Sequence, residues 1–262
     1  MHEIEIETMG EQMAGYSWRV RMAGRSDTGR VRGNNEDYLD WDLPRGLALL
    51  ADGVGGRNAG EVASRMAVTT LLEQLPQLPG ETPVCECSRQ LRLAIEQANH
   101  RIYESAQYAP FHGMSTTLAA LWLCGRRVVL AHVGDSRIYR LREGVLRQLT
   151  VDHSLVQELV DCGAMSSEEA QHSANRHLIT RALGLQAQVV AELVTIEVCA
   201  GDRYLLCSDG LSDKLDVATL TTLLLNERSV SAIIESLIEH ANLRGGEDNI
   251  AALLVAIDEP DN

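Results

Sequence analysis

The stretch Leu49-Leu50-Ala51-Asp52-Gly53-Val54-Gly55-Gly56 constrains the fold more than any other, because an apolar run stops there at a carboxylate and passes into glycine. It reads as a buried strand ending at an acid, followed by residues that tolerate unusual backbone angles. That combination can hold a metal ion, and it is also how many strands simply turn. The same grammar returns at Asp135, Asp209 and Asp248, each next to an apolar run with glycine or an amide beside it. Either the fold brings these acids to a common edge, or they are exposed turn residues that never meet.

The runs between the acids are strand-like. Thr117–Leu123, Val128–Val133, Ile138–Leu141 and Val145–Leu149 follow one another closely, with Glu143-Gly144 supplying a turn. Short spacing and small turns predict antiparallel hairpins rather than parallel crossovers. This places Gly134-Asp135-Ser136 at a hairpin tip. Further strands are expected at Val194–Val198, Tyr204–Cys207 and Ile250–Ile257. Asp52 and Asp209 then close their strands while Asp248 opens its own, and in an antiparallel sheet those ends share one edge.

Helices are expected from Gly60, with Ala63, Ala67, Leu71 and Leu75 at four-residue steps before Pro76 and Pro79, and around Leu91, Ile95, Ala98 and Ile102. A later helix carries Val230, Ile234, Leu237 and Ala241. These stripes are core packing. Trp18–Met22 alternates as a half-exposed strand, and Ser26–Asp37 is rich in turn formers and charge. That segment is either a solvated loop or the place where Arg32, Glu36 and Asp37 face a shared anion-plus-metal site. Residues 152–183 are polar and hold His153, His172 and His177, which predicts a helical, mobile flap over one end of a sheet. Without repeats, low-complexity tracts or linkers, the expectation is a single domain over 17–258 after an acidic lead-in at 1–16.

A formal net charge of -14 argues against sequence-independent nucleic-acid binding and against docking on anionic membranes. No apolar run approaches a membrane span, and the N-terminus lacks the features of a secretory signal, so a cytoplasmic location is expected. The six cysteines show no CxxC spacing and read as small core residues, with Cys85-Glu86-Cys87 the only close pair. Gly53–Asn58 does not make a dinucleotide loop, because Asn58 stands where a glycine or alanine is needed. Clustered carboxylates would repel one another without cations, and an oxygen-only ligand set points to Mg²⁺ or Mn²⁺ rather than zinc.

Taken in order, the motifs Ser26-Asp27-Thr28-Gly29 with Arg32, Asn35-Glu36-Asp37, Ala51-Asp52-Gly53 and Gly113-Met114-Ser115-Thr116-Thr117 continue into Val133-Gly134-Asp135-Ser136-Arg137 and Leu149-Thr150-Val151-Asp152-His153. Cys207-Ser208-Asp209-Gly210-Leu211 and Gly246-Glu247-Asp248-Asn249 complete the set. In this order they resemble the metal-dependent Ser/Thr protein phosphatases of type 2C, the PPM family, in compact bacterial form. The resemblance implies an α+β fold, a four-layer α-β-β-α sandwich of two antiparallel sheets flanked by helices. It implies hydrolysis of phosphoserine and phosphothreonine in proteins by a metal-activated water at a binuclear Mg²⁺ or Mn²⁺ centre, with a third, weaker metal in bacterial members.

By the same resemblance, Asp52 bridges two metals, the Gly53 carbonyl serves the second, and Asp209 and Asp248 complete the first. Asp135 with Asp209 would hold the third metal, Glu36 and Asp37 are outer-shell acids, and Arg32 grips the substrate phosphate. Phosphorylated proteins and a cognate bacterial Ser/Thr kinase are the expected partners, and the chain is expected to be a monomer. Three positions depart from the family, one of them Ser115, where glycine is usual and the change is expected to be harmless. Val54 and Arg57 stand where relatives carry a histidine able to protonate the leaving oxygen, so no general acid is named by position, and His153 is the nearest motif-borne imidazole. The rival from another class is a catalytically silent member of the fold acting as a binding module. Such a protein usually loses a metal ligand, and none is lost here.

Overall fold

The computed structural model describes residues 18–55, 59–77, 82–226 and 228–259. The acidic lead-in and Arg57 lie outside the described residues. The chain begins with β1 (Arg19–Asp27), β2 (Asp37–Asp42) and β3 (Leu47–Val54), then α1 (Ala59–Gln74) and α2 (Val84–Ser105). Next come β4 (Ser115–Thr116), β5 (Leu118–Cys124), β6 (Arg127–Val133), β7 (Arg137–Arg142) and β8 (Val145–Gln148). Two short helices, α3 (Leu155–Asp161) and α4 (Ser167–Gln171), occupy the expected flap. The chain closes with β9 (Glu192–Glu197), β10 (Arg203–Cys207), α5 (Asp209–Ser212), α6 (Val217–Leu224), α7 (Val230–Leu243) and β11 (Ile250–Asp258).

One sheet is five-stranded in the order β1-β11-β10-β7-β8, and the other is six-stranded, running β2-β3-β5-β6-β9 with β4 beside β3. All pairings are antiparallel. The apolar runs are continuous because each central strand is buried on both faces. In β5, Leu118, Ala120 and Trp122 pack under α1 and α2, while Ala119, Leu121 and Leu123 face the opposite sheet. In β11, Ala251, Leu253 and Val255 face that shared core, and Ala252 and Leu254 pack under α6 and α7. The result is the expected four-layer sandwich. No helix among the described residues is long and apolar enough to cross a membrane.

Several local expectations change. β6 and β7 belong to different sheets, so Asp135 sits on a turn that carries the chain from one sheet to the other and not at a hairpin tip. The 26–37 segment is shorter as a loop than its composition suggests, since β1 runs through Asp27 and β2 starts at Asp37. β3 continues past Asp52 through Val54, and Asp209 opens α5. Cys87, Cys124 and Cys207 are buried as expected of core residues, but Cys85, Cys162 and Cys199 are exposed.

The glycines after the acids have a different role from the one their type suggests. Neither Gly53 nor Gly210 is among the positive-φ residues. They are there for space. A Cβ on Gly53 would lie 2.2 Å from the Gly60 carbonyl oxygen, and one on Gly210 would lie 1.9 Å from the Asn249 carbonyl oxygen. Backbone therefore packs directly on backbone beside Asp52 and between Asp209 and Asp248. Gly210→Ala is expected to cost about 3 kcal/mol, a fall of about 6–12 °C in Tm. A melt within a degree of the parent would show that α5 can move away from the Asp248 turn at no cost.

Candidate metal centre

Asp52 is held by its backbone. Its N–H donates to Thr117 Oγ1 at 2.9 Å, and its carbonyl accepts from Thr117 N–H at 2.9 Å and Thr116 Oγ1 at 2.8 Å. Thr117 Oγ1 also meets Ser136 Oγ at 2.7 Å, which ties Asp52 to the turn carrying Asp135. Across the sheet Asp37 stands opposite Asp52, and its Oδ2 accepts from Ser208 Oγ at 2.7 Å, next to Asp209. On the facing sheet, Cys207 of β10 pairs with Ala252 of β11, so Asp209 and Asp248 flank the same edge.

Asn249 fixes the loop that carries Arg32. Its Nδ2 donates to the Thr28 and Asn34 carbonyls at 3.0 and 2.8 Å, and its Oδ1 accepts from Glu36 N–H at 2.8 Å. Arg32 Nη2 in turn donates to Asp248 Oδ2 at 2.8 Å. Thr117, Ser208 and Asn249 were legible only as parts of motifs, since small polar residues look alike in turns and in scaffolds.

These elements enclose a cavity of about 840 Å³ lined by Arg32, Glu36, Asp52, Gly53, Asp135, Asp209 and Asp248. Asp37 lies behind that lining, 7% exposed. His153 is not on the cavity wall. The imidazole that does line it is His177, whose Nδ1 is 3.6 Å from Asp209 Oδ2 and 3.7 Å from Asp213 Oδ2. Nothing in its spacing singled out His177 or Asp213 from the other polar residues around them. Val54 also lines the cavity.

Burial and mutual repulsion set the electrostatics. Burial, then the neighbouring Asp37, holds the Asp52 carboxyl well above the usual range. Burial pushes Asp37 up to about 7, with Ser208 opposing, and burial followed by Asp209 pushes Asp135 up to about 7. Burial also raises Glu36. The hydrogen bond from Arg32 to Asp248 raises the guanidinium further, so it is charged at every working pH. His177 is raised by its contact with Asp209.

A site that disfavours its own negative charge accepts divalent cations, and its oxygen-only donors fit Mg²⁺ or Mn²⁺. Among the described residues, no three of these carboxylates bring ligand atoms within 4.8 Å of one another, a spread that suits ions retaining several waters. The trio that does meet that distance is His132, His153 and Glu192. It is a poor metal site. His153 Nδ1 accepts from Gly134 N–H, which leaves the proton on Nε2, while His132 Nε2 is engaged by the Val151 carbonyl. The two rings also stack 15° from parallel, so their in-plane lone pairs do not point at a common centre.

Residues 28–255 match the sequence profile of the family described as Protein phosphatase 2C. The chain belongs to that family. It is 38% identical over 238 residues to the serine/threonine phosphatase Stp of Listeria monocytogenes, covering 89% of this chain and 94% of that protein. It is 42% identical over 247 residues to PstP of Mycobacterium tuberculosis, covering 94% of this chain and 46% of that longer protein. The crystal structure of PstP superposes with a TM-score of 0.84 at 40% identity, covering 91% of this chain and 99% of that one. A second structure, of the PstP catalytic domain in complex with 2 manganese ions, superposes with a TM-score of 0.81 at 40% identity, covering 91% of this chain and 98% of that one. This protein phosphatase 2C member is thus a metal-dependent protein-serine/threonine phosphatase, a hydrolase acting on phosphorylated proteins, in a family dependent on Mg²⁺ or Mn²⁺.

Proposed function

We propose that residues 17–258 form a single phosphatase domain that hydrolyses phosphoserine and phosphothreonine at a binuclear Mg²⁺ or Mn²⁺ centre. In this reading it reverses the action of a bacterial Ser/Thr kinase and works as a monomer. The observation that carries the reading is the convergence of Asp52, Asp209, Asp248 and Asp135 with Arg32 on one cavity. The same convergence weighs against a silent binding module.

Asp52 would bridge the two ions with the Gly53 carbonyl on the second, Asp209 and Asp248 would complete the first, and Asp135 with Asp209 would take a third. Glu36 and Asp37 would order the surrounding water. When bound, the ions would neutralise phosphoryl charge and supply a nucleophilic water at neutral pH. The chain's own part is positional. The Arg32 fork orients the phosphoryl oxygens and offsets their charge, as a lysine would do less well. Val54 offers no proton to the leaving oxygen.

Phosphate release from a phosphothreonine peptide, with Mn²⁺ and with a chelator, tests the reading. Metal-dependent release supports it. No release from folded protein under any metal would sink it in favour of the silent module. Arg32→Ala is expected to raise KM for phosphopeptide by about tenfold with the Mn²⁺ dependence kept within about twofold. An unchanged KM would remove Arg32 from the phosphate.

A further inference from the structure

Asp135 is placed by its backbone alone. Asp135 is half-buried on the cavity wall, yet no side chain among the described residues hydrogen-bonds its carboxyl, so its position follows that of the Gly134-Asp135-Ser136 turn. Gly134 is buried at φ +100, and a Cβ there would lie 2.6 Å from Thr117, so the turn is pressed against the residue that also holds Asp52.

The turn is gripped from the other side by His153. Gly134 N–H donates to His153 Nδ1 at 3.1 Å, and His153 N–H donates to the Gly134 carbonyl at 2.9 Å. The tautomer is thereby fixed with its proton on Nε2, which faces Glu192 Oε1 at 3.2 Å, with Arg181 Nη1 3.3 Å away. The His153 carbonyl accepts from Thr180 N–H at 2.8 Å, and the ring stacks on His132 with 4.5 Å between centroids. One buried residue thus joins the Asp135 turn to the stem of the 152–183 segment and to β9.

We propose that His153 is a positioning residue for Asp135, setting where that carboxylate stands and hence how tightly the weakest cation binds. The proposal rests on the reading of Asp135 as a cation ligand. An imidazole does this better than other side chains because its two nitrogens work at once, one accepting from the turn and one donating to Glu192. Removing Nδ1 leaves a buried N–H unpaired and the turn free to shift.

The test is Mn²⁺ binding, followed by calorimetry and by the Mn²⁺ electron paramagnetic resonance signal, on the full chain. Asn carries its oxygen near the Nδ1 position and Gln near Nε2. His153→Gln is expected to weaken the weakest Mn²⁺ site by about tenfold, and His153→Asn to stay within about threefold of the parent. Asp135→Asn should also weaken that site, and His153→Gln added to it should cause no further loss, because the histidine acts through the aspartate.

Parent-like Mn²⁺ binding in His153→Gln, or a full additional loss in the double variant, would overturn the proposal while leaving Asp135 as a ligand. Unchanged Mn²⁺ binding in Asp135→Asn would overturn both, and so marks a failure of the underlying reading. Equal losses in the Asn and Gln variants, with lowered Tm in both, would reduce His153 to a packing residue. Should His153→Gln fail to fold, Glu192→Ala serves instead. It removes the Nε2 partner from a half-exposed position off the cavity wall and is expected to weaken the same site by about threefold, an unchanged site counting against the proposal.

Discussion

Asp209→Asn is expected to lower phosphate release from a phosphothreonine peptide by about 10³-fold and to leave the protein folded. Asp209 opens α5, and the chain there is held by Ser208 N–H on the Ala251 carbonyl and by Gly210 packed on Asn249. The amide is the same size as the acid, so this scaffold is not disturbed. What changes is one negative charge where the cavity's carboxylates converge, and a neutral amide is a much poorer partner for a divalent ion. His177 loses the carboxylate that raises its pKa and moves back toward its ordinary value. The check is kcat/KM across a Mn²⁺ series together with a thermal melt. Near-parent activity in a folded variant would take Asp209 out of the metal set.

In the presence of a chelator, Tm is expected to fall between about pH 4 and about pH 7, and Mn²⁺ to reverse that fall. Burial pushes the Asp37 and Asp135 carboxyls up to about 7 in the folded protein, from an ordinary 3.8. A carboxyl with a raised folded pKa favours folding in its protonated form. Its contribution is complete below the ordinary value and is lost as pH rises through the folded one. Above that point the buried charges repel, and this is where a cation gains most. At one-hundredfold excess over Kd, binding contributes about 2.7 kcal/mol, or about 5–10 °C for a chain of this size. The gain at the lower pH should be smaller, since protons compete for the same oxygens. A pH-independent Tm without metal, or an equal Mn²⁺ shift at both ends, would contradict these assignments.

The sequence carried the layered architecture because burying a strand on both faces leaves an apolar run that hardly anything else produces. The runs at 118–123, 128–133 and 250–257 are of this kind. It failed where two structures share one local signature. The step from Val133 to Arg137 is as short as any hairpin, yet it changes sheets, because the choice is made by which core each strand's alternate residues join. β2 escaped notice since Asp37-Tyr38-Leu39-Asp40-Trp41-Asp42 has the acid density of a loop. The glycines that follow Asp52 and Asp209 were legible as a pattern but not as a cause: a residue chosen for room and one chosen for backbone angle read the same. The acids, by contrast, were visible because an apolar run rarely ends at a carboxylate repeatedly without reason.

The glycines differ sharply in the room around them. At Gly53, Gly134 and Gly210 an added methyl would strike neighbouring atoms within 2.6 Å. At Gly144 and Gly201, on turns at the opposite end, it would meet nothing within 4 Å. Those turns keep positive φ but have no neighbours to satisfy. The turns at Gly144 and Gly201 therefore have room for added chain, whereas any side chain at Gly53, Gly134 or Gly210 would push on the backbone that carries Asp52, Asp135 or Asp209.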